Sequence, residues 1–285
     1  CEGNYNMTSY ERKRRLRAKR RRQRACIMAV LLVIMAAAIA LLVWGISTLF
    51  GGSDRNDPQK TTPAVTTTTT TPTTRTRAPA PATVQVPMIL QNPELPTGCE
   101  STAATMVLQA YGYPVSKTDF AEALPKSRLH QYNGRVYAAH PNKAFIGNPF
   151  TGGADFGVFA GVVTDTMQTL INQAGGKHLA KDITGADEAT LLSLLDRKVP
   201  ICIWATMSMV PVRENSSGWY ILDGDTYTDT WFSWPGNEHC LVLIGYNDQT
   251  VTVHDPLKGV VKYNRSLFFT RYNDLGRQAV ILESY

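Results

Sequence analysis

Cysteine is scarce in this sequence: five residues among 285. A chain of that length can bury a core without covalent staples, so a disulfide-built miniprotein is excluded. No C-x-x-C or H-E-x-x-H spacing occurs, which leaves a zinc site without its usual ligand pattern. No repeat is detectable after the first 83 residues, so a solenoid is not expected. Basic residues are also few where a nucleic-acid surface would need them. Ten of the 29 Lys and Arg fall between Arg12 and Arg24, so the net charge of +6 belongs to an N-terminal tail and the remainder sums to about −2. Nucleic acid is therefore not an expected partner.

Residues 25–50 form the one long apolar run, 26 residues without charge or Pro. About 20 apolar residues suffice to cross a bilayer as a helix, so a transmembrane helix is expected here, with Trp44 near its far interface. The basic block on its near side places residues 1–24 in the cytoplasm and everything beyond the span outside the cell. A cleaved secretory signal is the rival reading, but the run exceeds a usual signal core and no small-x-small site follows it cleanly. Cys26 stands at the near end of the run, whereas a lipid-receiving Cys would follow it.

Residues 51–83 carry twelve Thr from Thr61 onward, together with Pro58, Pro63, Pro72, Pro79 and Pro81. Such a segment cannot bury enough apolar surface to offset its ordering entropy, so it reads as an extended, disordered stalk. At about 3 Å per residue it would reach roughly 100 Å, enough to display a module through a bacterial cell wall. The expected localisation is a single-pass cell-membrane protein whose partners include the membrane and the cell wall.

Residues 84–285 read as one α+β domain. Residues 99–111 form an apolar-patterned helix closed by Gly112, Ser116 with Asp119 opens a second helix, and residues 159–173 and 187–197 give two more. Strands follow at 199–207, 240–246, 250–255, 259–263 and 278–284. Helices first and strands later predict a largely antiparallel sheet beneath an N-terminal helical half. The stretches 127–157 and 211–235 have no clear pattern and are expected to line a cleft.

The chemistry centres on Cys99 in LPTGCE, at a loop-to-helix junction where backbone N–H groups and the helix dipole favour a thiolate. Cys202 and Cys240 sit in apolar strand patterns and read as core residues, with a disulfide between them allowed but not demanded. A thiolate nucleophile needs a base and the base an orienting group. His239 opens one strand and Asp255 closes the next, and their midpoint is the Asn247-Asp248 turn, so a hairpin brings imidazole and carboxylate side by side. His254 alternates to the opposite face and is the weaker base; His130 and His140 lie in loop-rich sequence. Gln91, eight residues before Cys99, is a candidate oxyanion-hole donor beside the nucleophile's own N–H. No cofactor is called for, and a metal site from His239, His254 and Asp255 lacks supporting spacing.

VPMILQNPELPTGCESTAATMVLQAYGYPVSKTDFAEAL, HPNKAFIGNPFTGG, VPICIWATM and GNEHCLVLIGYNDQTVTVHDPLKG together resemble the bacterial C39-like cysteine peptidases, relatives of the domain that trims double-glycine leaders in bacteriocin exporters. The resemblance implies a papain-like fold, with Cys99 as nucleophile, His239 as general base and acid, Asp255 as orienter and Gln91 in the oxyanion hole. His140 and Asn148 stand where many relatives carry Asp. No ATPase segment lies within these residues, so cleavage coupled to export is not implied. The expected activity is hydrolysis of peptide bonds in a peptide or protein substrate. Rivals are a hydrolase or acyl transferase acting on peptidoglycan stem peptides with the same thiol, and a non-catalytic surface-binding module.

Overall fold

In the computed structural model, the residues described are 82–153 and 155–284. The expected cytoplasmic tail, transmembrane helix and nearly all of the stalk, residues 1–81, lie outside them. Among the described residues no helix is long and apolar enough to cross a membrane.

The strand-rich second half builds the larger sheet. Its seven strands are all antiparallel: β1 (Ala82–Thr83), β6 (Leu179–Asp182), β7 (Ile201–Thr206), β10 (Glu238–Tyr246), β11 (Thr250–Asp255), β12 (Gly259–Asn264) and β13 (Ala279–Glu283). The order across the sheet is β12-β11-β10-β7-β13-β6, with β1 paired to the far end of β10. The last two residues assigned to the stalk thus belong to the folded domain: Thr83 pairs with Gly245, and Val84 N–H donates to Ile244 O at 2.7 Å. β7 and β10 lie in the sheet interior and are buried along their whole length, which is why ICIWAT and EHCLVLIGY read as continuous rather than alternating apolar runs.

Helix α1 (Cys99–Ala110) packs across β10 and β7. Its first ten residues are all buried, so its small residues Ser101, Ala103 and Ala104 let it sit close to the sheet. Helix α2 (Lys117–Ala123) starts as expected: the Ser116 hydroxyl accepts from Asp119 N–H while Asp119 caps the Ser116 N–H in return. Helices α3 (Ala160–Gln173) and α4 (Glu188–Asp196) match the two further helices expected, and α4 is capped by Asp187, which accepts from Thr190 N–H. A fifth helix, α5 (Arg265–Asp274), was not expected. It buries Phe268, Phe269 and Tyr272, and Asn264 caps it by accepting from Leu267 N–H.

The two unpatterned stretches carry a second sheet. β3 (His130–Tyr132), β4 (Arg135–Ala138), β8 (Arg213–Asp223) and β9 (Thr226–Gly236) form it in the order β3-β4-β8-β9, while β2 (Lys126–Ser127) and β5 (Phe145–Ile146) make a small parallel pair. Behind it lies a separate small core of Ile146, Trp219 and Trp234, with Phe156, Phe159 and Phe232 packed against it. The chain passes from this sheet to the larger one at Asn237, whose φ of 69° turns the backbone between β9 and β10. That turn delivers Glu238 and His239 at the head of β10.

Candidate active site

Cys99 is the first residue of α1, and Gly98 before it supplies no capping side chain, so no side-chain cap covers the first-turn N–H groups. Gly98 is required by space: a Cβ there would stand 2.8 Å from Leu95 Cβ. Gln91 sits one turn of loop earlier and is almost fully buried. Its N–H donates to Pro256 O at 2.8 Å, and its carbonyl accepts from Leu95 N–H and from the Lys117 ammonium, so the segment is anchored to the turn after β11. The side-chain Nε2 donates to Pro96 O at 2.9 Å. An amide nitrogen carries two hydrogens, so one remains for a further acceptor.

The hairpin of β10 and β11 forms, with a different register. Asn247 makes the turn, its Oδ1 accepting from Gln249 and Thr250 N–H, and the turn spans four residues. Gly245 marks a bulge, and Val242 stands opposite His254. Asp255 is therefore not directly opposite His239 but diagonal to it, two residues along the same face. The distance is still short: His239 Nε2 to Asp255 Oδ1 is 2.8 Å, with both side chains buried. Bonding through Nε2 leaves Nδ1 to meet a thiol. Asp255 Oδ1 also accepts from Leu257 N–H. Burial alone would push its carboxyl up, but the hydrogen bond and charge of His239 outweigh it, and the group lies below the ordinary carboxylate value.

Cys99, His239 and Gln91 line one cavity of about 280 Å³, closed by Phe156, Trp234, Met207 and Leu257. Phe156 and Trp234 come from the two stretches expected to border the cleft. The Cys99 thiol, 8% exposed, does not bond His239 here; its Sγ–H donates to Glu100 Oε2 at 3.2 Å. Burial and the neighbouring Glu100 and Glu238 carboxyls push the thiol well above its ordinary value, against the Cys240 backbone N–H, which pulls it down.

The other candidates lie elsewhere. His254 is buried on the opposite face of β11. His130 bonds Tyr227 on the second sheet, and His140 accepts from Asn142 N–H; neither lines the cavity, nor does Asn148. Cys202 and Cys240 are fully buried free thiols with sulfurs 3.4 Å apart. Sequence reasoning missed Glu100 and Glu238. Among the described residues, Cys99, Glu100 and Glu238 form the one group whose thiol and carboxylate atoms lie within 4.8 Å of one another. With no imidazole in it and the thiol already donating to Glu100, proton sharing suits this group better than a cation.

The model of the Peptidase C39-like family matches residues 83–280, nearly the whole described domain. The chain belongs to the Peptidase C39-like family. A curated relative, the uncharacterized protein YvpB of Bacillus subtilis (strain 168), is 29% identical over 192 residues, spanning 67% of this chain and 71% of that protein. A crystal structure of a candidate C39-like peptidase from Bacillus anthracis superposes with a TM-score of 0.63 at 29% identity, covering 73% of this chain and 99% of that one. A double glycine motif protease from an AMS/PCAT transporter, solved with its leader peptide, gives a TM-score of 0.39 at 16% identity, covering 74% of this chain and 96% of that one. That last likeness is too distant to carry an argument.

Proposed function

We propose that this protein is a membrane-anchored, outward-facing cysteine peptidase. The observation that carries the reading is the buried His239–Asp255 hydrogen bond of 2.8 Å at the cavity that Cys99 and Gln91 also line. The Cys99 thiol gives its proton to His239 Nδ1, and the thiolate attacks the substrate carbonyl carbon. The tetrahedral oxyanion is held by the Cys99 backbone N–H and the spare Nε2–H of Gln91. His239 then returns the proton to the leaving amine as the C–N bond breaks, leaving a thioester. A water, deprotonated by His239, releases the acyl group as a carboxylic acid and restores the thiol. Asp255 fixes the imidazole tautomer throughout and stabilises its protonated form. The basic tail, apolar run and Thr/Pro-rich segment support anchoring with the domain outside the cell, where proteins and wall peptides are both within reach.

The test is to offer the full chain an unfolded protein and purified peptidoglycan stem peptides, with Cys99→Ala as control. Cleavage of the protein that vanishes in the variant supports the reading. Release of wall peptides without protein cleavage would replace the substrate class, and no Cys99-dependent cleavage of either would leave a binding module.

A further inference from the structure

Two carboxyl groups lie behind the nucleophile in a place where charge is costly. Glu100 is fully buried in the first turn of α1 and Glu238, 8% exposed, precedes His239 on β10. Glu100 is held at both oxygens: Oε1 accepts from Val158 N–H at 2.8 Å and Oε2 from the Cys99 thiol at 3.2 Å. Glu238 Oε1 is buried without a hydrogen-bond partner among the described residues. Among the described residues, neither glutamate takes part in an ion pair.

Gly157 supplies an independent sign that the two meet. A Cβ at this position would stand 2.2 Å from Glu100 Oε1 and 3.3 Å from Glu238 Oε2, so both carboxyl groups converge over the same glycine. Its backbone is not in the left-handed region, so space and not conformation calls for glycine there.

We propose that Glu100 and Glu238 form a buried carboxyl pair sharing one proton, which positions the Cys99 thiol and sets the pH range over which it ionises. The proposal rests on Cys99 being the reactive thiol. Two carboxylates this close, with no cation between them, do not both ionise near neutrality. Burial pushes Glu100 up to about 7, and burial together with the Glu100 charge pushes Glu238 well above the usual carboxyl range. The other titratable groups around the pair are Cys99 on α1, His239 and Cys240 on β10, Cys202 on β7, Asp255 on β11 behind His239, and Asp155 at the cavity wall. None of these is a Lys or Arg. With one proton between them the pair carries a single negative charge, and the Cys99 S–H points at it. Gaining a second proton removes that charge, and the thiolate then forms against His239 alone. Glu100 and Glu238 are thus positioning residues, acting through Cys99.

The test is the pH dependence of Cys99 alkylation by iodoacetamide in the full chain, followed by peptide mass spectrometry with Cys202 and Cys240 as internal reporters of folding. Unit charges 4–5 Å apart at an effective dielectric near 20 shift one another by roughly two to three pH units. Glu100→Gln with Glu238→Gln should therefore lower the midpoint of Cys99 alkylation by about two pH units. Each single variant should lower it by less than one unit, because the remaining carboxylate then holds the charge alone. An unmoved midpoint in the double variant overturns the proposal, and equal single shifts that add up to the double would overturn proton sharing. If the double variant does not fold, the wild-type glutamate ¹³Cδ shifts decide: one carboxyl still protonated at pH 7 supports the pair, and both titrating near pH 4–5 refutes it. Alkylation reports on the pair and peptide cleavage on the peptidase reading, so either can fail while the other stands.

Discussion

The Glu100 carboxyl makes the stability of the domain depend on pH in a direction opposite to most carboxylates. Its value rises from an ordinary 4.5 to about 7 on folding, with burial as the largest cause. A raised carboxyl means that the folded state binds the proton more tightly than the unfolded chain. The resulting stabilisation is fully present below about pH 4.5 and is lost as pH rises through about 7. At 1.36 kcal/mol per unit, the loss across that window is about 3 kcal/mol. The group is fully buried, so solvent screening takes little from this figure. Glu100→Gln removes the titration while keeping an amide oxygen that can accept from Val158 N–H. Urea unfolding at intervals from pH 5 to 8 should give a wild-type stability that falls with pH and a Glu100→Gln stability that falls about 3 kcal/mol less. For a domain of this size that is about 6–12 °C in Tm at pH 8. Parallel stability curves for the two proteins would refute the reasoning, since they would mean that Glu100 is ionised in the folded state across the whole range.

Three further outcomes follow from contacts already described. Gly157→Ala drives a methyl group against Glu100 Oε1 and Trp234 and should destabilise the domain by about 1–3 kcal/mol in urea, with part of the loss recovered in a Glu100→Ala background. If Gln91 serves the oxyanion as proposed, Gln91→Ala should lower kcat by about 10²–10³ with little change in KM, since an oxyanion donor acts on the transition state and not on the ground-state carbonyl; a pure KM effect would assign it to substrate binding. Asp255→Asn weakens a buried, charge-assisted bond worth about 1.5–3 kcal/mol to the imidazole, so kcat/KM should drop roughly 10- to 100-fold while Leu257 N–H keeps its acceptor.

What could be read from the sequence was local. The Cys99 helix, the Ser116 capping box and the Asn247 turn each announce themselves within a few residues, and the hairpin makes His239 and Asp255 neighbours by chain geometry alone. Even there, the register was displaced because the turn runs from Asn247 to Thr250 and is not centred on Asn247-Asp248, and the bulge at Gly245 takes back one residue of that shift. Helix α5 was hidden because RSLFFTRYND clusters its apolar residues and surrounds them with charge. β8 and β9 were hidden because they pair in a half-exposed sheet with register shifts, and their Asn, Ser, Gly, Asp and Pro residues resemble loop sequence. Glu100 and Glu238 were invisible for a different reason. A Glu in the first turn of a helix and one ahead of a strand are ordinary solvated charges by local rules. Only the packing of α1 on β10, between residues 138 positions apart in the chain, turns them into a buried pair.

The central claim, that Cys99 is a nucleophile served by His239, is tested most directly by trapping it. The full chain, treated with a peptidyl epoxide and analysed by intact and peptide mass spectrometry, should gain one adduct, on Cys99, faster than the urea-unfolded chain does, and His239→Ala should abolish that advantage. Labelling of Cys99 no faster than in the unfolded chain, or indifferent to His239→Ala, would contradict the account.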